Sequence, residues 1–273
     1  MNLAKRAAEL RRTLGQASHD YYVLDRPTLP DREYDTLFRE LQDIEREHPA
    51  LRTGDSPTMR VGAEPASAFA KHTHLVPMIS LGNAFSDGEV EEWDARAARI
   101  AGEAVREAGY SVELKIDGAA VSLTYRNGIL ETGATRGNGS VGEDVTANLR
   151  TIREIPLRLS GGPHPSLIEI RGEVYFPFDA FERLNEERAR AGEPVFANPR
   201  NSSAGSLRQL DPAVTARRPL RFFGYAFAVP GAETLPFKTQ TELLRTLASW
   251  GVPIAPHHKA CPTLAAVHAQ AHD

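Results

Sequence analysis

Residues 113–118 read Glu-Leu-Lys-Ile-Asp-Gly, with a glutamate, a lysine and an aspartate at alternate positions. Just upstream the alternation continues, so Val112, Leu114 and Ile116 interleave with Glu113, Lys115 and Asp117. Period two predicts a strand with the apolar set in the core and three charges on the opposite face. A lysine at such a strand end, in a cleft, can act as a nucleophile once its ammonium, ordinarily near pKa ~10.4, is deprotonated. Glu113 and Asp117 oppose that, because neighbouring carboxylates stabilise the ammonium. A nucleophilic Lys115 therefore requires a counter-influence, such as a metal ion or further cations. Without one, the same spacing is an ion-pair row on a solvated face.

Two kinds of scaffold flank these residues. Up to about residue 50 the pattern is helical: Tyr34, Leu37, Phe38, Leu41 and Ile44 fall on one helix face. Pro30 and Asp31 supply a start signal with Asp31 as N-cap, and Pro49 lies just past the expected end. An earlier helix over roughly 2–19 runs into a loop. Residues 52–78, rich in Gly, Pro, Ser and Thr, read as a connector laid over a surface.

From about residue 109 strands take over. Asn127-Gly128 between alternating flanks predicts a two-residue hairpin. Residues 142–152 read as a short helix and 167–176 as a strand. In that strand Glu169, Arg171 and Glu173 face one way, and Ile168, Ile170 and Val174 the other. A helix over 178–192, a strand over 218–229 and helical stretches over 241–251 and 262–273 complete an α+β reading, with antiparallel sheets and packed helices.

Composition sets outer limits. The chain has 273 residues, 41% of them hydrophobic, enough for a core and for more than one domain. With 36 acidic and 32 basic side chains, a nucleic-acid partner would have to use local basic patches. The single cysteine, Cys261, excludes a disulfide framework and a four-cysteine zinc site within these residues. No apolar run reaches membrane-spanning length and the N-terminus lacks a signal-peptide core, so a cytoplasmic protein is expected, with no membrane partner.

Glu-x-Lys-x-Asp-Gly resembles motif I of the covalent nucleotidyltransferases: DNA ligases, RNA ligases and mRNA-capping enzymes. The resemblance extends through ELKIDGAAVSLTYRNGILETGATRGNGSVGEDVTANLRTI, IEIRGEVYFP and VFANPRNSSAGSLRQLDP. Those blocks, in that order, resemble the adenylation domain of bacterial NAD-dependent DNA ligases. YYVLDRPTLPDREYDTLFRELQDIEREHP resembles the small helical domain that only the NAD-dependent class carries, and HLVPMISLGNAF matches its segment entering the nucleotide site.

The resemblance implies a helical domain over 1–66 and a nucleotidyltransferase, ATP-grasp-like domain over 67–273. Lys115 would attack the α-phosphate of NAD, forming lysyl-AMP and releasing nicotinamide mononucleotide. Glu113 would accept from the adenine amino group, Ser80 and Leu81 would line the adenine pocket, and Arg136 and Glu173 would face ribose and phosphate. Asp117 would fix the lysine loop, while Gly118 and Gly172 would let backbone approach the ligand. Tyr21, Tyr22, Asp31, Arg32, Glu33, Tyr34 and Asp35 would hold the nicotinamide mononucleotide half, aromatic rings stacking on the cationic ring. Capping and core packing are the competing roles of Asp31 and Tyr34.

Arg200 and Arg208 would meet phosphates of nicked double-stranded DNA in the full-length protein. Arg217, Arg218 and Arg221 extend that basic character as backbone contacts or plain surface. Mg²⁺ (or Mn²⁺) would sit mostly on phosphate oxygens and water, so no protein ligand is assigned. A monomer acting in DNA replication and repair is expected.

Two departures stand out. Gly82 in SLGN replaces an aspartate common in relatives, and the family's later motifs, whose lysines contact the nucleotide phosphates, do not follow PTLAAVHAQAHD. Those lysines are the cations best suited to help Lys115 lose its proton. The adenylation domain is therefore expected to be C-terminally incomplete and unable to seal nicks by itself. A non-catalytic NAD-binding module and an ATP- or GTP-using relative remain the alternatives, the helical block arguing against the second. A Rossmann dehydrogenase is disfavoured, since the glycines of TRGNGSVGED follow a hairpin strand.

Overall fold

The computed structural model describes residues 2–24, 26, 28–60, 67–232 and 237–271. Helices α1 (Leu3–Tyr22) and α2 (Asp31–Glu47) open the chain. Strand β1 (Lys71–Thr73) and helices α3 (Asp87–Ala101) and α4 (Ala104–Ala108) lead to β2 (Tyr110–Glu113), β3 (Ala119–Arg126), β4 (Ile129–Thr135) and β5 (Val141–Glu143). Then come α5 (Thr146–Thr151), β6 (Leu167–Tyr175), α6 (Phe178–Arg190), α7 (Pro199–Leu207), α8 (Pro212–Ala216) and β7 (Arg221–Ala228). The last elements are α9 (Gln240–Ser249), β8 (His258–Cys261) and α10 (Leu264–Ala271).

α1 and α2 pair through the apolar stripe that the spacing predicts. Ala7, Leu10 and Leu14 bury against Leu41 and Ile44, with Tyr34, Leu37 and Phe38 packed around them. α2 begins at Asp31 itself, and Pro30 occupies the cap position without a side-chain hydrogen bond. Asp31 is therefore the first helical residue instead of the N-cap; its side chain lies outside the described residues.

Every strand pairing is antiparallel. The main sheet runs in the order β4-β3-β6-β7, with separate two-stranded sheets β1-β5 and β2-β8. The predicted hairpin joins β3 to β4, with Asn127 and Gly128 both at positive φ, as a primed two-residue turn requires. Val121, Leu123, Ile168, Ile170, Val174 and Phe222 fill the sheet's inner face, with Leu149, Leu243, Leu247 and Trp250 from the helices.

Three further sequence expectations change. The strand predicted over 112–117 stops at Glu113, and Leu114 is 55% exposed. β2 has β8 as its partner only as far as Glu113↔His258, so Leu114 to Asp117 leave the sheet and the alternation loses its core face. The connector is not a surface path throughout, because a 3-10 turn over 57–60 is buried. Arg60 there donates at 2.9 Å to each of the carbonyls of Arg150, Ile152 and Ile155, around the C-terminal end of α5; residues 61–66 lie outside the described residues. Thirdly, Glu169, read onto a polar strand face, is completely buried.

Candidate active site

A cleft of about 1380 Å³ opens beside the β6-β7 half of the sheet. Its floor is Arg171 and Glu173 of β6 with Phe223 and Tyr225 of β7. The residues that leave β2, including Lys115, form one wall, and Arg200, Asn201 and Arg208 of the α7 region form another. The segment from His74 to Phe85, here the strap, contributes Ser80 and Leu81 to the lining. α7 itself escaped the sequence reading, although Asn198 caps Asn201 N–H at 2.8 Å and Pro199 sits at the first helical position. α3 also escaped it, although Ser86 accepts from Glu89 N–H while the Glu89 carboxylate accepts from Phe85 N–H, close to a capping box.

Eight of the sequence-derived residues therefore line one cavity: Ser80, Leu81, Glu113, Lys115, Arg136, Glu173, Arg200 and Arg208. Asp117 stands at its rim, with Oδ1 3.6 Å from Arg200 Nη1. Glu113 accepts from Ser111 Oγ at 3.1 Å and from Gln240 Nε2 at 3.4 Å, and Gln240 also holds the Tyr225 carbonyl at 3.0 Å. Arg208 pairs with Glu143 at 2.7 Å.

Glu173 is the perturbed carboxyl of the cleft. Burial pushes its pKa up to about 7, while Lys115, Arg200, the Gly118 N–H and Arg136 pull it back. A carboxyl poised there can accept or release a proton near neutrality. Burial likewise raises the Tyr225 hydroxyl to about 12, so it stays protonated. The backbone of Gly118 lies where a side chain would strike the Val174 carbonyl and the Glu173 side chain. Gly172 is pressed against the Phe222 ring and the Phe223 carbonyl. Both positions are therefore closed to a side chain, and Gly118 also lines the cleft.

The helical residues stay apart. Among the described residues none of Tyr21, Tyr22, Arg32, Glu33, Tyr34 and Asp35 lines the cleft. Tyr34 stacks on Phe38 at 6.2 Å and shares a hydrogen bond with Ser18 Oγ at 3.1 Å. Tyr21 and Tyr22 are about half exposed with ring centroids 4.8 Å apart, and the Arg153 guanidinium lies 5.8 Å from the Tyr22 ring. A second cavity, of about 440 Å³, lies between α1 and residues 153–160, lined by Arg11, Arg12, Arg60 and Arg153. It holds no lysine and none of the expected site residues, so the larger cleft is the chemical candidate.

Cation sites are sparse. His72, His74 and Glu169 bring donor atoms within 4.8 Å of one another. Yet both His74 nitrogens and both Glu169 oxygens are already hydrogen-bonded within the chain, and nitrogen donors suit Mg²⁺ poorly.

Residues 1–62 match the family described as DNA ligase-like, N-terminal NAD+-binding domain. Residues 66–273 match the family described as NAD-dependent DNA ligase adenylation domain. A DNA ligase of Gemmatimonas aurantiaca is 62% identical over 260 residues, covering 95% of this chain and 38% of that protein. DNA ligases of Herpetosiphon aurantiacus and Geobacter metallireducens are 52% and 53% identical, over 98% and 92% of this chain and 40% and 37% of their own lengths. The chain thus spans less than half the length of the curated relatives it matches.

Proposed function

The chain belongs to the NAD-dependent DNA ligase family, and from that premise we propose that its cleft carries out the adenylation half-reaction. The neutral Lys115 amine attacks the α-phosphorus of NAD. A P–N bond forms, the pyrophosphate P–O bond breaks, nicotinamide mononucleotide leaves with the electron pair, and the amine's surplus proton passes to solvent. Glu113 accepts from the adenine amino group against Ser80 and Leu81, and Arg136 and Glu173 meet ribose and phosphate. Bound Mg²⁺ or Mn²⁺ supplies charge neutralisation on the phosphates. Asp117 orients the lysine loop through Arg200.

The observation that carries this reading is the convergence of Lys115, Glu113, Arg136 and Glu173 on one cleft. We assign residues 1–66 to the nicotinamide mononucleotide half, through Tyr21, Tyr22, Asp31, Arg32, Glu33, Tyr34 and Asp35. Since the tyrosines stand outside the cleft, this role requires the helical domain to come over it during the reaction. Residues 67–273 form the nucleotidyltransferase domain. Arg200 and Arg208 contact nicked duplex DNA once the AMP is to be passed to a 5′-phosphate, in the longer ligase and in DNA replication and repair. No described helix is long and apolar enough to cross a membrane; we place the protein in the cytoplasm as a monomer.

The test is intact mass after incubation with NAD and Mg²⁺, beside Lys115→Ala. A gain of one AMP that needs Lys115 and reverses with nicotinamide mononucleotide is expected. NAD binding without an adduct would reduce the chain to a binding module. Absence of both NAD binding and adduct would overturn the assignment.

A further inference from the structure

Beneath the strap lies a cluster of polar side chains behind the nucleotide-facing wall. His74 is only 6% exposed. Its Nε2 lies 3.0 Å from the Arg136 carbonyl oxygen and its Nδ1 3.1 Å from Ser122 Oγ. A carbonyl only accepts, so Nε2 carries the proton, and in the neutral ring Nδ1 accepts from the serine hydroxyl. The Arg136 N–H is donated in turn to the Ala120 carbonyl at 2.9 Å. The residue whose side chain lines the cleft is thereby held on both sides of its Cα from behind.

The same cluster roots the strap. His74 N–H donates to the Ser140 carbonyl at 3.0 Å, and Leu75 N–H to Glu169 Oε2 at 2.9 Å. Arg171 Nη2 donates to the Val76 carbonyl at 2.6 Å and lies 3.1 Å from Glu169 Oε1. Met78 N–H reaches the Gly139 carbonyl at 2.7 Å. Among the described residues no hydrogen bond holds the strap between Met78 and Phe85, and Ile79 and Leu81 are largely exposed. The position of Ser80 and Leu81 is therefore set by their root.

We propose that His74, backed by Glu169 and Arg171, is a positioning residue of the nucleotide site. It fixes Arg136 and the root of the strap together while touching no part of the ligand. Buried and saturated polar clusters rigidify what they bond, and a shift of about 1 Å in a positioning group can cost on the order of a hundredfold in rate. This inference rests on the reading of the cleft as an NAD site.

The experiment follows adenylation rate against NAD concentration, and NAD affinity by calorimetry, in the unaltered chain, His74→Ala, His74→Gln and Ser122→Ala. Glutamine places an amide N–H near the Nε2 position and can restore the bond to Arg136. His74→Ala is expected to raise the half-saturating NAD concentration about tenfold, as the loss of one buried hydrogen bond would. Its maximal rate should fall less. Glutamine should recover most of the loss, and Ser122→Ala should lie between, since it removes only the second bond. Unchanged kinetics in His74→Ala would overturn the proposal. So would equal losses in the alanine and glutamine variants that track a lowered melting temperature, because His74 would then act through stability alone. An unaltered chain that neither binds NAD nor gains AMP would instead overturn the NAD reading, and this proposal with it.

Discussion

Asp117 Oδ1 lies 3.6 Å from Arg200 Nη1, joining the loop that follows the lysine to the first turn of α7. Both side chains are more than half exposed, so the pair contributes at most about 0.5–1 kcal/mol to stability. Its value lies in aim. Asp117→Asn is expected to leave the urea midpoint nearly unchanged while slowing adenylation of Lys115 several-fold. Parallel denaturation and single-turnover mass measurements check this, and equal effects on both would refute the orienting role.

Arg60 makes a different kind of link. Its guanidinium is buried and bonded to three carbonyls around the end of α5, with burial and Arg153 lowering its pKa to about 10. Arg60→Met keeps the apolar stem but strands those carbonyls, so a loss of roughly 2–4 kcal/mol is expected in urea denaturation. A loss below 0.5 kcal/mol would mean that water replaces the guanidinium freely.

Glu154 gives a pH signature outside the cleft. It is 8% exposed, and burial raises its pKa from 4.5 to about 7, with the Phe222 N–H and Arg221 opposing. A raised carboxyl favours the fold fully below about 4.5, and that contribution is lost as pH rises through about 7. Glu154→Gln cannot ionise. Its stability relative to the unaltered chain should therefore climb between pH 5 and 7.5, by roughly 3 kcal/mol at most. Glu173 titrates in both chains and cancels. A flat difference across that range would disprove the shift.

Arg200 and Arg208, in the proposed DNA role, meet backbone phosphates. Replacing both by alanine should flatten the plot of log affinity against log salt for nicked duplex by about 1.8. Fluorescence anisotropy over a salt series reads this directly. An unchanged slope would assign both arginines to their partners Asp117 and Glu143 alone.

Much of this architecture could be read in the residues. The α1–α2 stripe and the Asn127-Gly128 turn follow from spacing and backbone preference, which are local. Residue types within the motif blocks placed eight cleft side chains, although their convergence depends on strands far apart in sequence. The reading failed where a distant partner decides the outcome. Alternation over 112–117 could not reveal that β8 stops supporting the strand at Glu113. Nor could it show that Glu169, on a nominally polar face, would be buried by bonding Leu75 N–H and Arg171.

The pairing of β2 with β8 has a consequence for synthesis. The strand that leads into Lys115 has its sheet partner in His258–Cys261, whereas β3 and β4 are joined by a hairpin and β6 follows them after β5 and α5. On the ribosome, β3, β4 and β6 can pair while β2 still has no sheet partner. β2 pairs only after His258–Cys261 have been made, because non-local pairings form late. A nascent chain thus gains its main sheet first, and the strand ahead of Lys115 finds its partner late.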